Sequence, residues 1–215
     1  MSDDLPIVAA GREVPSALDR IRRYCGLPWS GGGPETWAWP FYDEVPTEHD
    51  DVVSPTDVVC AAALHPGLSR DDLVYFHQHE SAVSAWLREV PAGMRLWELS
   101  DHAVEHLATM PELAAPSLSL LSKVLHRKRP HVIPLLDRHV IDWYRPVTGK
   151  RAVAEAWGPL IRTMRAEEED EQRRLTTAIA VVGIERELWP DVPVDDRPRL
   201  SWLRAADIAI WMGSQ

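Results

Sequence analysis

Between Ser117 and Arg145 the chain sets a single carboxylate, Asp137, among cations: Lys123, Arg127, Lys128, Arg129, Arg138 and Arg145. From Ser122 to Arg151, eight Lys and Arg stand against Asp137 and Asp142, a net +6. The whole chain carries a formal −10, which leaves −16 for the remainder. An acidic protein that gathers positive charge around one acid offers a place for a charged guest such as a nucleotide. A plainer reading stands beside it. A carboxylate at a helix start is favoured by the helix dipole and can pair with Lys123 or Arg138, and Arg127-Lys128-Arg129 can be a solvated helix end.

Other residues able to do chemistry are fewer. His126, His131 and His139 flank Asp137 and can donate to phosphate or simply lie on the surface. His102 and His106 are four apart on one helix face, but two ligands do not make a metal centre. His77 and His79 point to different sides of a helix. Neither Cys25 nor Cys60 sits in a CxxC spacing. No metal and no cofactor is therefore expected. Gly31-Gly32-Gly33 lacks the strand, helix and Lys-Ser/Thr of a phosphate loop. The aromatic run Trp29, Trp37, Trp39, Phe41 and Tyr42 can stack on an extruded base or dock on the core, and Trp39 is its candidate ligand contact.

These residues need elements to place them, and the elements read as helices. Ser16, Ser54, Ser69 and Ser100 are placed as N-caps, and Pro55 follows Ser54 at a first helical position. The spacing predicts helices over about 17–25, 55–64, 70–90, 101–110, 116–128, 134–144, 151–166, 168–188 and 200–212. In the fourth-decade segment, residues 28–53, glycines and prolines make an ordered loop. Leu73, Phe76, Val83 and Leu87 form the expected core stripe of the helix after Ser69. Trp189-Pro190 and Asp195-Asp196-Arg197-Pro198 make a linker. No strand alternation appears. The fold class is all-α, one helical domain over 1–215, with a core segment at 110–145 and a closing helix at 199–212.

Composition agrees with an ordinary globular chain: 45% hydrophobic, 26% charged, and ten Trp, some of which must fill the core. No apolar run reaches the length of a membrane span, and MSDDLPIVAAGREV has no leader pattern, so the expectation is a cytoplasmic protein without a membrane partner. The acidic total argues against generic nucleic-acid binding. Oligomeric state is open.

The stretch SKVLHRKRPHVIPLLDRHV resembles the core of the helix-hairpin-helix DNA glycosylase superfamily. It also resembles a bacterial family of unknown function that shares the closing LRAADIAIWM helix. The superfamily order is hairpin, helix, Pro, a loop ending in Pro, then a catalytic Asp at the next helix start; here these are Pro130, Pro134 and Asp137. The resemblance implies a glycosylase-like fold in which Asp137 stabilises an oxocarbenium-like transition state or activates water. Lys123, Arg127, Lys128, Arg129, Arg138, His139 and Trp39 would contact the ligand. The chain departs from the pattern at the hairpin, where Leu113-Ala114-Ala115-Pro116 replaces glycines. It departs again at the nucleophile position, held by Ser117 and Leu118. The implied function is nucleic-acid or nucleotide recognition with N-glycosidic hydrolysis and no lyase step. The alternative is a non-catalytic binding or scaffold protein for a small molecule or a protein partner.

Overall fold

The computed structural model describes residues 6–47, 49–65, 67–193, 197 and 200–215. It is all-α, as expected. The helices are α1 (Ala17–Tyr24), α2 (Trp39–Tyr42), α3 (Pro55–Ala62), α4 (Arg70–Arg88), α5 (Asp101–Ala108), α6 (Leu118–Lys128), α7 (Arg138–Thr148), α8 (Val153–Glu169), α9 (Glu171–Leu188) and α10 (Trp202–Met212). Two short antiparallel strands, β1 (Val8–Ala9) and β2 (Arg12–Glu13), pair Val8 with Glu13. Ala10 and Gly11 between them both have positive φ, as a tight two-residue hairpin requires. Two residues per strand are too few to alternate, so this pair leaves no sequence pattern.

Local chemistry explains most helix starts. Ser54 and Ser69 each form a capping box with Asp57 and Asp72, three residues on. Ser100, Ser117, Asp170 and Ser201 cap α5, α6, α9 and α10 through side-chain oxygens. Ser16 differs from its expectation. Its backbone is left-handed (φ 51°) and its hydroxyl makes no capping bond. Along α4 the buried stripe runs through Tyr75, Phe76, Val83, Trp86 and Leu87, whereas Leu73 is half exposed. The capping box turns Asp72 inward, which leaves Leu73 at the edge of that stripe. The 28–53 segment contains α2, whose Tyr42 hydroxyl donates to the Lys123 carbonyl at 2.8 Å. Asp195, Asp196 and Pro198 of the expected linker, and the first residue of the expected closing helix, lie outside the described residues.

α6 is the central element. A short turn at Met110–Leu113 ends on Ala114, which is left-handed at φ 53°. An L-residue holds that conformation at a cost of roughly 1–2 kcal/mol. From Leu120 through Arg129 every residue is buried, cations included. The exit segment, 130–137, is pinned back on α6. His126 Nδ1 donates to the Ile133 carbonyl at 2.5 Å, and the Leu136 N–H donates to Ser122 Oγ at 3.0 Å. The next helix therefore starts at Arg138, with Asp137 as N-cap, rather than at Pro134. α10 closes the body against α1, α7 and α9, and ten of its eleven residues are buried. Side chains from Ile7 to Met212 share one hydrophobic cluster. Among the described residues no helix is long and apolar enough to cross a membrane.

The α6 end is held to α3 by a buried ion group. Lys128 Nζ lies 2.6 Å from Asp57 Oδ2, and Arg127 Nε lies 3.4 Å from Asp57 Oδ1. Removing one member of such a group strands the others without compensation. Asp57→Ala should lower stability by about 3–5 kcal/mol, read as a shift of the urea midpoint with unchanged slope. A loss below about 1 kcal/mol would show that these charges are solvated.

Candidate functional site

The middle of α6, the start of α7 and one side of α10 meet around one small hollow. Lys123, Asp137, Arg204 and Asp207 line it, with Tyr24 and Trp211 among the apolar walls. Its volume, about 10 Å³, is that of one water molecule. Asp137 is half buried at its edge. Its Oδ1 accepts the Val140 N–H at 2.9 Å, so the carboxylate sits on the positive end of α7. Oδ2 takes no protein hydrogen bond among the described residues. Lys123 lies beneath, 3% exposed, with Nζ donating to Ser119 Oγ at 2.8 Å. Burial pulls its ammonium below the usual lysine range, and the fields of Asp137 and Asp207 act in the opposite direction.

Arg204 organises the wall. Its guanidinium donates from Nε to Asp43 Oδ1 at 2.8 Å and from Nη2 to Asp43 Oδ2 at 2.7 Å. Nη2 also donates to the Tyr24 hydroxyl at 2.6 Å, and Nη1 donates to Asp207 Oδ2 at 2.5 Å. The bidentate fork is the strong form of charge-assisted pairing. Asp207 keeps its other oxygen, Oδ1, buried and without a hydrogen bond among the described residues. Burial pushes its carboxyl up to about 7, against the pull of Arg204, and the nearby Asp137 charge pushes the same way. A buried acid at the edge of ionisation, beside a buried lysine and a fixed carboxylate, is the kind of group that functional sites hold.

The three cations after Lys123 lie elsewhere. Arg127 donates to the carbonyls of Tyr42 and Val45, Lys128 to the carbonyl of His49, and Arg129 to those of Val90, Asp50 and Lys128 and to the Asp51 carboxylate. They are neither a solvated helix end nor an open phosphate clamp, because their donors are taken up inside the protein. His126 is likewise internal, and burial drives its pKa down to about 3, so it stays neutral. Trp39 is buried, its indole donates to Glu44 Oε1 at 2.8 Å, and its ring meets Tyr24 edge-on. It packs in the core and offers no stacking face to an extruded base. Arg138 is exposed and 3.7 Å from Asp142, and His139 is half buried beside it. Arg145 and Lys150 are also exposed, paired with Asp142 and Glu155. Of the residues singled out from sequence, the structure thus gathers Asp137 and Lys123 at the hollow and leaves Arg138 and His139 on the adjoining α7 turn.

A family model described as a family of unknown function, DUF6308, matches residues 17–214. The chain belongs to DUF6308. No curated protein and no solved structure is similar to it. In this DUF6308 chain the match spans every element that lines the hollow, from Tyr24 to Trp211.

Arg204, Asp207, Tyr24 and Asp43 were not singled out from the sequence. One signal was present. In LRAADIAIWM an arginine and an aspartate stand three apart in a helix otherwise apolar all round, and charges so placed must be buried and paired. Among the described residues no group of three or more His, Cys, Asp or Glu could hold a metal ion. His106 contacts the Trp86 carbonyl at 3.0 Å through Nε2 and stacks on the Trp86 ring.

The Asp207 carboxyl binds its proton more tightly folded than unfolded. Its contribution to stability is therefore full below about pH 4 and is lost as pH rises through about 7. The stability of the parent minus that of Asp207→Asn should fall across this window and stay level on either side, measured by urea unfolding at a series of pH values. A difference independent of pH would place the Asp207 titration outside it.

Proposed function

We propose that this chain recognises a nucleoside or nucleotide at the half-buried Asp137, with the water-sized hollow beneath it, and hydrolyses its N-glycosidic bond, on a framework of the helix-hairpin-helix glycosylase kind. The observation that carries the reading is the convergence of Asp137, Lys123, Asp207 and Arg204 on one hollow with room for a water. Three further features support the framework. Ala114 keeps the left-handed turn at the place where the superfamily has its hairpin glycines. Pro130 and Pro134 precede Asp137 in the superfamily order, and Asp137 caps the helix that follows.

In this reading the bond between the anomeric carbon and the base nitrogen breaks, and its electron pair leaves with the base, which gains a proton. Asp137 faces the positive charge that develops on the sugar. Water adds its hydroxyl to the anomeric carbon and gives its proton to the carboxylate, which passes it on to solvent, the source of the proton that the departing base takes up. Lys123 and Asp207 position that water. Ser117 and Leu118 stand at the superfamily's nucleophile position and supply no amine, and Lys123 serves here to position water, so this reading includes no lyase step.

The engagement of Arg127, Lys128 and Arg129 inside the protein bears on the substrate. With those donors committed, Arg138, Arg145, Lys150 and Arg151 are the exposed cations of the 122–151 stretch. Their number suits a free nucleoside or nucleotide better than a long duplex, whose binding scales with the phosphates neutralised. The same observation favours a second reading, a binding or scaffold protein without catalysis.

Base release from nucleosides, nucleotides, and single- and double-stranded DNA and RNA separates the two. The parent should release base from at least one substrate, and Asp137→Asn should lose about 10²–10⁴-fold in rate. Release that persists in Asp137→Asn removes Asp137 from the role. A parent that neither releases base nor binds any of these at low salt leaves the scaffold reading standing.

A further inference from the structure

A second cavity lies on the far side of α10, between α9, the Leu96–Glu98 turn and the chain entering α10. It measures about 270 Å³, close to the lower end of small-molecule sites at roughly 300 Å³. Three guanidinium groups line it, Arg95, Arg174 and Arg197. Arg174 lies over the Trp97 ring with its charge centre 4.2 Å from the centroid, and Arg197 Nε donates to the Val192 carbonyl at 2.8 Å. Two acids among the lining residues, Glu168 and Glu185, stand against these three guanidinium groups. Glu185 Oε1 accepts the Leu200 N–H at 3.0 Å. Glu168 Oε2 accepts the Trp97 N–H at 3.3 Å, and burial lifts its carboxyl to about 7, so much of it is neutral at physiological pH.

Hydrogen-bond donors on the same wall stand without partners. Thr177 Oγ1, Trp202 Nε1 and Arg197 Nη1 are each buried and make no hydrogen bond among the described residues. Thr177 is 2% exposed and Trp202 5% exposed. Buried polar groups are nearly always satisfied, and each exception calls for an explanation. Here three exceptions border one cavity, and all three can donate. A water satisfies one donor; an anion with several oxygens offers acceptors to more than one and meets the surplus positive charge.

We infer that this cavity is a binding site for a small oxyanionic ligand, a phosphate ester or a carboxylate. Arg174, Arg197 and Arg95 would face its charged oxygens, and Thr177 Oγ1 and Trp202 Nε1 would donate to them. The ligand is small, since the cavity lies just under the lower end of small-molecule sites. Leu175, Ala178 and Val182 along α9 give the remaining wall its apolar character and would face the ligand's carbon skeleton. The inference is independent of the Asp137 reading: it concerns other residues and is read by ion binding rather than by base release.

The test is thermal melting and calorimetric titration of the full chain with inorganic phosphate, with succinate, and with sodium chloride at matched ionic strength. A saturable rise in melting temperature with phosphate marks a phosphate-ester site, and one with succinate marks a carboxylate site; either supports the inference when chloride gives none. Thr177→Val, which keeps the side-chain shape, and Arg197→Met should each weaken that binding at least about tenfold. Apo melting of each variant, recorded alongside, establishes that it is folded. The inference is overturned if neither anion gives a saturable response beyond that of chloride. It is equally overturned if the response is unchanged in a folded Thr177→Val or Arg197→Met variant.

Discussion

Four cations on one buried stretch of chain set the terms for the rest of the molecule. Lys123, Arg127, Lys128 and Arg129 all lie out of water on α6 and its exit. A charge moved into a protein interior loses several kcal/mol of hydration, and the fold must return it through hydrogen bonds and opposite charge. It does so from two directions. The segment between Tyr42 and Asp51 has few regular hydrogen bonds of its own, and its carbonyls at Tyr42, Val45, His49 and Asp50 would otherwise want donors. The α6 cations provide them. Asp57 and Asp51 supply the negative charge. The loop is ordered because the helix is charged, and the helix can be buried because the loop is there.

That arrangement separates Lys123 from the other three. Arg127, Lys128 and Arg129 are spent largely on the 42–57 segment, whereas Lys123, a turn before Arg127, lies beside Asp137 and α10. Its hydrogen bond to Ser119 leaves its field directed at two carboxylates, one fixed at a helix start and one close to its ionisation point. Arg204 completes the balance by clamping Asp43 and Asp207 together. α10 thus serves two polar regions, with Arg204 and Asp207 on the Asp137 hollow and Ser201 and Trp202 on the larger cavity. A helix so heavily buried has no solvent-facing side on which to carry a charge, so its charged residues can only be structural partners or members of a site.

What the sequence made legible was local. Ser54 and Ser69 announced their helices because a capping box needs only four residues, and Asp137 announced itself by its isolation among cations. The closing helix was readable as buried from its apolar composition. What stayed hidden depends on pairs far apart in the chain. The acceptors for Arg127 lie 70 to 85 residues away, and nothing in Arg127-Lys128-Arg129 itself says whether such a cluster points inward or outward. The same holds for Trp39, where a neighbour five residues on, Glu44, settles its indole, but the packing that buries its ring comes from Tyr24 and Trp189. The second cavity left no motif at all, since its donors come from α9, the segment before α10 and the start of α10.

The chain has three lysines, Lys123, Lys128 and Lys150, and this makes the central claim directly measurable. An amine-reactive reagent at low dose, followed by peptide mass mapping, reports the accessibility of each ammonium. With α6 buried as described, Lys150 reacts readily in the native protein while Lys123 and Lys128 react only after unfolding. If Lys128 is modified in the native state as fast as Lys150, the α6 cations are in water and the account of the 42–57 segment fails.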